Sequence, residues 1–349
     1  MSKSSLLIRA DANAKIGTGH VMRCLALAQA WQDASGEAVF AVSDLPTALG
    51  QRIVSEGFSV ERVPSKAGTL HDAEFAIALA QRHEPSWMVV DGDHFNVAFL
   101  DRVRSAGCRT LLLDDFAARA SFPADLVLNP NLGATEEAYR SRGTTAPLLV
   151  GPSYALLRRE FTSWSQSRTF PQHGGRVLVT LGGSDPENLT PQIVRALSEM
   201  DGYEITAVVG PGSIHAGLQD LVSPRVRVVS NPPDMRRAME QADLAVIAAG
   251  GTLWELLYME CIILSYARNA VQARVIEQLH RSGVIRNMGA TADFKGPALV
   301  AAIKALAQSR AARNKMASLG RRIVDGKGAT RVLHAMQENA GFVLTSSVP

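Results

Sequence analysis

The chain has little cysteine, no marked excess of either charge and no uninterrupted apolar span. Its three cysteines, Cys24, Cys108 and Cys261, are odd in number and far apart, with no C-x-x-C pair and no zinc-ligand spacing. That excludes a disulfide framework and suits a reducing, cytoplasmic setting. A balance of 36 Lys and Arg against 33 Asp and Glu leaves a formal net charge of +3. This is far from the basic excess of a nucleic-acid-binding domain, so no nucleic-acid partner is expected. The most apolar stretch, Leu244 to Tyr266, is interrupted by Gly250, Gly251, Glu255 and Glu260. It reads as strand, glycine turn and buried helix, not as a membrane span. The sequence shows no secretory apolar segment with a small-residue cleavage site. It also lacks H-E-x-x-H, G-x-S-x-G and a catalytic-cysteine context.

What is present is an alternation of short apolar runs with helical-period segments, the signature of an α/β fold. At roughly 150 residues per domain, 349 residues predict two domains, each able to bury its own core. In the first half, strands are expected at Leu6–Ala10, Glu37–Val42, Phe58–Val63, Trp87–Val90, Arg109–Leu113, Leu126–Asn129 and Leu148–Val150. Helices are expected at Gly19–Trp31, from Pro46, at His71–Arg82 and at Asn96–Ser105. The second half repeats the theme with strands at Arg176–Leu181, Ile205–Val209, Val226–Val229, Leu244–Ala248 and Ile262–Ser265. The chain is helical from about Pro297 onward. The expected division is an N-terminal Rossmann-like domain over 1–161, a Ser-, Gln- and Gly-containing linker over 162–175, a C-terminal Rossmann-like domain over 176–325 and a helical tail over 326–349. Two doubly wound domains facing a central cleft would offer ligands the carboxyl ends of their strands.

Three motifs fall at such strand ends. Gly17-Thr18-Gly19-His20 follows the first strand and opens a helix. Glycines admit close ligand approach, and a helix start favours anions and a neutral imidazole, the form a general base needs. The alternative is a glycine turn carrying a surface histidine. A dinucleotide fingerprint fits poorly, because Met22 stands at the third glycine and residues 11–16 separate strand from glycines. Gly182-Gly183-Ser184-Asp185 can cradle phosphate through backbone N–H groups but lacks a P-loop lysine. Its alternative is a turn in which Asp185 or Asn188 caps the next helix. Gly250-Gly251-Thr252 with Glu255 repeats the pattern; Glu255 could accept hydrogen bonds from a ribose diol or cap its helix. Asp91, Asp93, His94, Asp114, Asp115, Asn129 and Asn131 also gather near strand ends, with no recognised ligand spacing, so no metal is expected. His71, His83, His173, His215, His280 and His334 lie among polar neighbours and are expected to be solvated.

Five ordered blocks carry a resemblance: RADANAKIGTGHVMRCLALA (9–28), ADLVLNPNLGA (124–134), GPSYALLRREF (151–161), VTLGGSDPENLT (179–190) and ADLAVIAAGGTLWELLYM (242–259). They resemble the UDP-2,4-diacetamido-2,4,6-trideoxy-β-L-altropyranose hydrolase family of pseudaminic acid biosynthesis, and are similar to the N-acetylglucosaminyltransferase that makes lipid II. The resemblance implies a GT-B fold and a monomeric, metal-free, inverting UDP-sugar hydrolase needing no redox cofactor, in a pathway that serves flagellin glycosylation. It implies that His20 is the base for water attack at the anomeric carbon. It further implies that Gly182, Gly183, Ser184, Asp185, Gly250, Gly251 and Thr252 hold the diphosphate, Glu255 the ribose, and that residues near Met235 line the uracil pocket. Asp11, Gly17, Gly19, Asp91, His94, Asn131 and Gln272 complete the implied substrate-binding set. Asp93 stands where the family has an aromatic, and the family's Asn-Gln pair is spread here as Asn269 to Gln272. A GT-B glycosyltransferase or a non-catalytic UDP-sugar-binding protein are the alternatives.

Overall fold

A computed structural model describes residues 4–164, 166–183, 185–210, 216–230, 232 and 234–340; Ser184 and His215 lie outside the described residues. The chain divides into two compact units. The first comprises residues 1–13, 20–159 and 326–349, and the second residues 14–19 and 160–325.

The first unit runs β1 (Ser5–Ala10), α1 (Gly19–Asp33), β2 (Glu37–Val42), α2 (Thr47–Ser55), β3 (Ser59–Arg62), α3 (Leu70–His83), β4 (Trp87–Asp91), α4 (Val97–Ser105), β5 (Thr110–Leu113), β6 (Leu126–Asn129), α5 (Glu136–Arg140) and β7 (Leu148–Val150); the short α6 (Arg159–Thr162) follows, with all but its first residue in the second unit. Its sheet is wholly parallel, in the order β3-β2-β1-β4-β5-β6-β7. Strand β1 shows why the runs are apolar throughout. Leu6, Ile8 and Ala10 enter one core cluster, while Leu7 enters the other. Both faces of the sheet are covered, so no strand has a solvated side to mark with polar residues.

The second unit runs β8 (Arg176–Thr180), α7 (Leu189–Ser198), β9 (Glu204–Val209), β10 (Val226–Ser230), α8 (Met235–Gln241), β11 (Leu244–Ala248), α9 (Thr252–Tyr258), β12 (Ile262–Ala267), α10 (Ala270–Arg281), β13 (Arg286–Ala290), α11 (Gly296–Gln308) and α12 (Arg310–Ile323). Its parallel sheet has the order β10-β9-β8-β11-β12-β13. Strand order thus reverses between β1 and β4 in one unit and between β8 and β11 in the other. In open α/β sheets that reversal parts the loops beyond the strands' carboxyl ends and creates the usual ligand crevice.

The stretch Leu244 to Tyr266 forms β11, α9 and most of β12, and among the described residues no helix is long and apolar enough to cross a membrane. The segment expected as a linker is held down on the second unit. Arg168 donates to the carbonyls of Met239 (2.8 Å), Met259 (3.1 Å) and Ala242, and Phe170 is buried in that unit's core. The tail expected over 326–349 contains α13 (Gly328–Ala340), which buries Val332, Leu333 and Met336 in the same cluster as Leu6 and Ile8. A Met336→Ala substitution is expected to lower stability by about 2–5 kcal/mol. In urea unfolding with a separate probe on each unit, the loss should appear in the first unit's transition and spare the second's.

Candidate active site

Asp91 closes β4 at the first switch point, fully buried. A carboxylate there stays ionised only if its oxygens are compensated. Helix α1 supplies the compensation from one face. Arg23 Nε donates to Asp91 Oδ2 at 2.6 Å and Nη2 to Oδ1 at 2.6 Å, while His20 Nδ1 lies 2.7 Å from Oδ1. His20 and Arg23 are three residues apart, the spacing that stacks side chains on one helical face. Arg23 also donates to both oxygens of Asp115, at 2.7 and 2.9 Å, and Asn131 Nδ2 donates to Asp115 Oδ1 at 2.9 Å. A planar guanidinium can clamp two carboxylates bidentately in this way. Residues from α1, β4 and the loops after β5 and β6 are therefore tied into one network.

The charges follow from these contacts. Burial would raise the Asp91 pKa, but Arg23 and His20 outweigh it and hold it well below the usual carboxylate range. Asp115 is likewise depressed, burial being overcome by Arg23. For His20, burial favours the neutral ring, yet the Asp91 charge and hydrogen bond prevail, and the pKa lies above its ordinary value. This corrects the neutral imidazole expected from the helix start alone. A carboxylate at 2.7 Å outweighs the partial charges of a helix terminus. His20 Nε2 has no hydrogen-bond partner among the described residues, and the side chain is 17% exposed. The ring is thus oriented at one nitrogen and available at the other. Cys24 reaches Asp91 Oδ2 at 3.5 Å; burial and that charge push its thiol well above the ordinary range, so it stays protonated. Asp93 is pushed upward by burial and then by Asp115.

A second buried group lies beside the first. Arg9, fully buried within β1, donates to both oxygens of Asp72 at 2.9 and 3.0 Å and to Asp11 at 2.8 Å, with its guanidinium over the Phe95 ring. Asp11 Oδ1 accepts the amides of Ser43 and Asp44, and its Oδ2 lies 3.2 Å from His94 Nε2. Asp11 is therefore fixed within the fold and orients His94. Gly92, at φ 147°, accommodates that imidazole, since a Cβ there would lie 2.6 Å from its Cε1. Two further histidines expected to be solvated have polar contacts. His83 lies 3.3 Å from Glu61, and His280 Nδ1 lies 3.3 Å from the Ile285 carbonyl.

In the second unit, both remaining motifs fall at the switch point. Gly182, at φ 90°, turns the chain after β8 in a conformation that favours glycine. Asp185 accepts from the amides of Leu189 and Thr190 at 3.1 and 2.8 Å, so it caps α7; Asn188 makes no side-chain cap. Gly250 and Gly251 are exposed after β11, with Thr252 opening α9 and Glu255 buried in its first turn. Gly17 and Gly19 group with this unit, and Met235 is buried at the start of α8. Gln272 Oε1 accepts the Arg268 amide at 2.8 Å while Asn269 caps α10, so the spread Asn–Gln pair serves the loop backbone. Arg9, Arg23, Asp72 and Arg268 did not stand out in the sequence. The i, i+3 spacing of His20 and Arg23 was the available signal for one of them.

The two sheets and their order define a GT-B fold, which the solved structures share. MurG of Acinetobacter baumannii superposes with a TM-score of 0.65 at 15% identity, covering 96% of this chain and 99% of that one. A putative UDP-N-acetylglucosamine 2-epimerase from Listeria monocytogenes gives 0.69 at 14%, covering 100% of both. MnaA of S. aureus, solved with UDP, gives 0.67 at 12%, covering 98% of both. By sequence the chain is similar to three curated proteins. It is 23% identical to the uncharacterised MJ1062 of Methanocaldococcus jannaschii over 76% of this chain, and 26% identical to the spore coat polysaccharide biosynthesis protein SpsG of Bacillus subtilis over 62%. It is 23% identical over 73% of this chain to the UDP-2,4-diacetamido-2,4,6-trideoxy-beta-L-altropyranose hydrolase of Campylobacter jejuni, covering 88% of that protein. The matches span 56% of MJ1062 and 65% of SpsG. No protein-family model matches the chain.

Asp91→Asn keeps the shape at β4 and deletes the charge. In an NMR titration the His20 pKa is expected to fall relative to the native protein. A raised folded pKa means that the pair stabilises the fold fully below the unfolded histidine value, about 6.5, and loses that contribution as pH rises through the folded value. The stability difference between variant and native protein, followed by urea unfolding, should therefore be larger at about pH 6 than at about pH 9.

Proposed function

We propose that the protein is a UDP-sugar hydrolase that cleaves the bond between the anomeric carbon and the diphosphate, giving UDP and a free amino or deoxy sugar, in nonulosonic (pseudaminic) acid precursor synthesis. The observation that carries this reading is the His20–Asp91 pair, with Nδ1 held at 2.7 Å and Nε2 open. The activity for which the Campylobacter relative is named supports the choice of hydrolysis.

In this reading the first unit supplies the base and the sugar contacts. His20 Nε2 takes a proton from water as that water attacks the anomeric carbon, and Asp91 stabilises the imidazolium that results. Arg23 keeps Asp91 ionised throughout. Asn131 and His94 border the sugar, with Asp11 setting the His94 ring, whereas Asp91, expected among the substrate contacts, is fully buried with both oxygens on Arg23 and His20 and acts only through them. The second unit holds UDP. The glycine turns at 182–183 and 250–251, together with Thr252, present backbone and hydroxyl donors to the diphosphate and stabilise charge on the departing oxygen. Glu255 takes the ribose hydroxyls, and residues around Met235 border the base. Gly17 and Gly19 keep the approach to His20 open. A single displacement inverts the anomeric centre.

The test is turnover of a UDP-sugar panel in ¹⁸O-labelled water, followed by NMR and mass spectrometry. Label in the free sugar is the expected outcome, and label in UDP would mean P–O cleavage and defeat the mechanism. Product formed only with an added hydroxyl acceptor would establish a glycosyltransferase instead. His20→Ala should reduce turnover by about 10²–10⁴-fold with UDP affinity unchanged. Unaltered turnover in that variant would remove His20 from the mechanism.

A further inference from the structure

Arg268 follows β12, beside the turn that follows β11. Ala248 pairs with Tyr266 in register, and the Ala249 amide donates to the Tyr266 carbonyl at 3.1 Å. The β12–β13 register slips just before it, with Ser265 opposite Asn287 and Ala267 opposite Ala290. Such irregularities re-aim side chains at sheet ends. The backbone here is fixed, because Gln272 Oε1 accepts the Arg268 amide. The head group is not: Nε and Nη2 are buried without a hydrogen-bond partner. The nearest carboxylates are out of bonding range, Asp185 Oδ1 at 3.8 Å and Glu187 Oε2 at 4.0 Å. Asp185 has both oxygens on α7 amides already. Burial without a bonded anion lowers the Arg268 pKa.

Guanidinium donors left unpaired in the protein interior are costly, and charged ones especially so. A structural arginine would have found its partners within the fold, as Arg9 and Arg23 do. We propose that Arg268 is an anion-binding residue whose guanidinium fork takes a diphosphate at the second unit's switch point, which on the reading above is the diphosphate of UDP. The geometry suits it. The contact at 3.8 Å to Asp185 brings Arg268 against the loop after β8, and the Ala249–Tyr266 pairing sets it beside the turn after β11. A planar fork matches two oxygens of a phosphate group, and the glycine turns leave backbone donors for the remainder.

The experiment is calorimetric titration of native protein, Arg268→Gln and Arg268→Lys with UDP, uridine and inorganic pyrophosphate, alongside thermal melting without ligand. Loss of charge-assisted hydrogen bonds should weaken UDP binding by about 10–100-fold in Arg268→Gln while leaving uridine affinity unchanged. Arg268→Lys should recover part of the loss. The ligand-free melting temperature of Arg268→Gln should be unchanged or raised, since the substitution removes buried guanidinium nitrogens that have no hydrogen-bond partner. Equal loss of UDP and uridine binding with a lowered melting temperature would show a structural residue and overturn the proposal. Unchanged affinity for both UDP and pyrophosphate would also overturn it. Native protein that takes pyrophosphate through Arg268 but does not bind UDP would uphold the anion site and overturn the nucleotide reading.

Discussion

The buried charge on Asp91 is the constraint on which the first unit's functional edge depends. A carboxylate at the end of a central strand must be compensated from neighbouring elements, because its in-register neighbours, Ala10 and Leu113, are apolar. Helix α1 answers with Arg23 and His20 from one face, and Arg23 then reaches Asp115 beyond β5. Asn131, beyond β6, joins through Asp115. One compensation requirement thus fixes a helix, a strand end and two loops against each other. It also holds the imidazole in one orientation without any bond to Nε2. Rigidity and reactivity arise from the same contacts.

The second unit repeats the topology with the opposite economy of charge. Its switch point is built from glycines and helix starts, Asp185 is committed to capping α7, and two guanidinium nitrogens of Arg268 have no hydrogen-bond partner. On the proposed function, reaction chemistry falls to the first unit and anion binding to the second, although the strand orders correspond one for one apart from β7. The net charge of +3 reveals none of this, because nearly all of the asymmetry lies in which few charges are paired.

Nearly every strand was legible in the sequence, since continuous apolar runs between glycine and polar clusters have few other uses in a parallel sheet. Glu37–Val42, Leu126–Asn129, Leu148–Val150 and Leu244–Ala248 form with the expected bounds. The edge strand β13, reading RNMGA and only partly buried, carries no such run and was not visible. Gly17 and Gly182 were legible because a positive φ dictates residue type there, whereas Gly250 and Gly251 carry no such backbone requirement. The arginines were not. Arg9 lies in a strand that reads as apolar, and its partner Asp72 is 63 residues away. Arg23 and Arg268 look like ordinary helix and loop cations until the strand order places them. His20 was legible as a position but not as a protonation state, because the deciding group, Asp91, is 71 residues distant.

On the proposed function, that protonation state bears on how His20 serves as a base. Contact with Asp91 strengthens the ring's basicity, which favours proton abstraction, but a base held too firmly in its protonated form is unavailable near neutral pH. Arg23 acts on both sides of this balance. It keeps Asp91 ionised, so the histidine stays oriented, and its own positive charge opposes the rise of the His20 pKa. Asp115 in turn binds Arg23 and adds a smaller upward push on His20. The two carboxylates and one guanidinium therefore leave His20 with a net negative neighbourhood weaker than an isolated Asp–His pair would impose. Removal of Arg23 would release the full charge of both acids onto the ring, driving it toward the protonated form while loosening the residue that orients it. The arginine is thus a positioning group that makes basicity and availability compatible at one nitrogen.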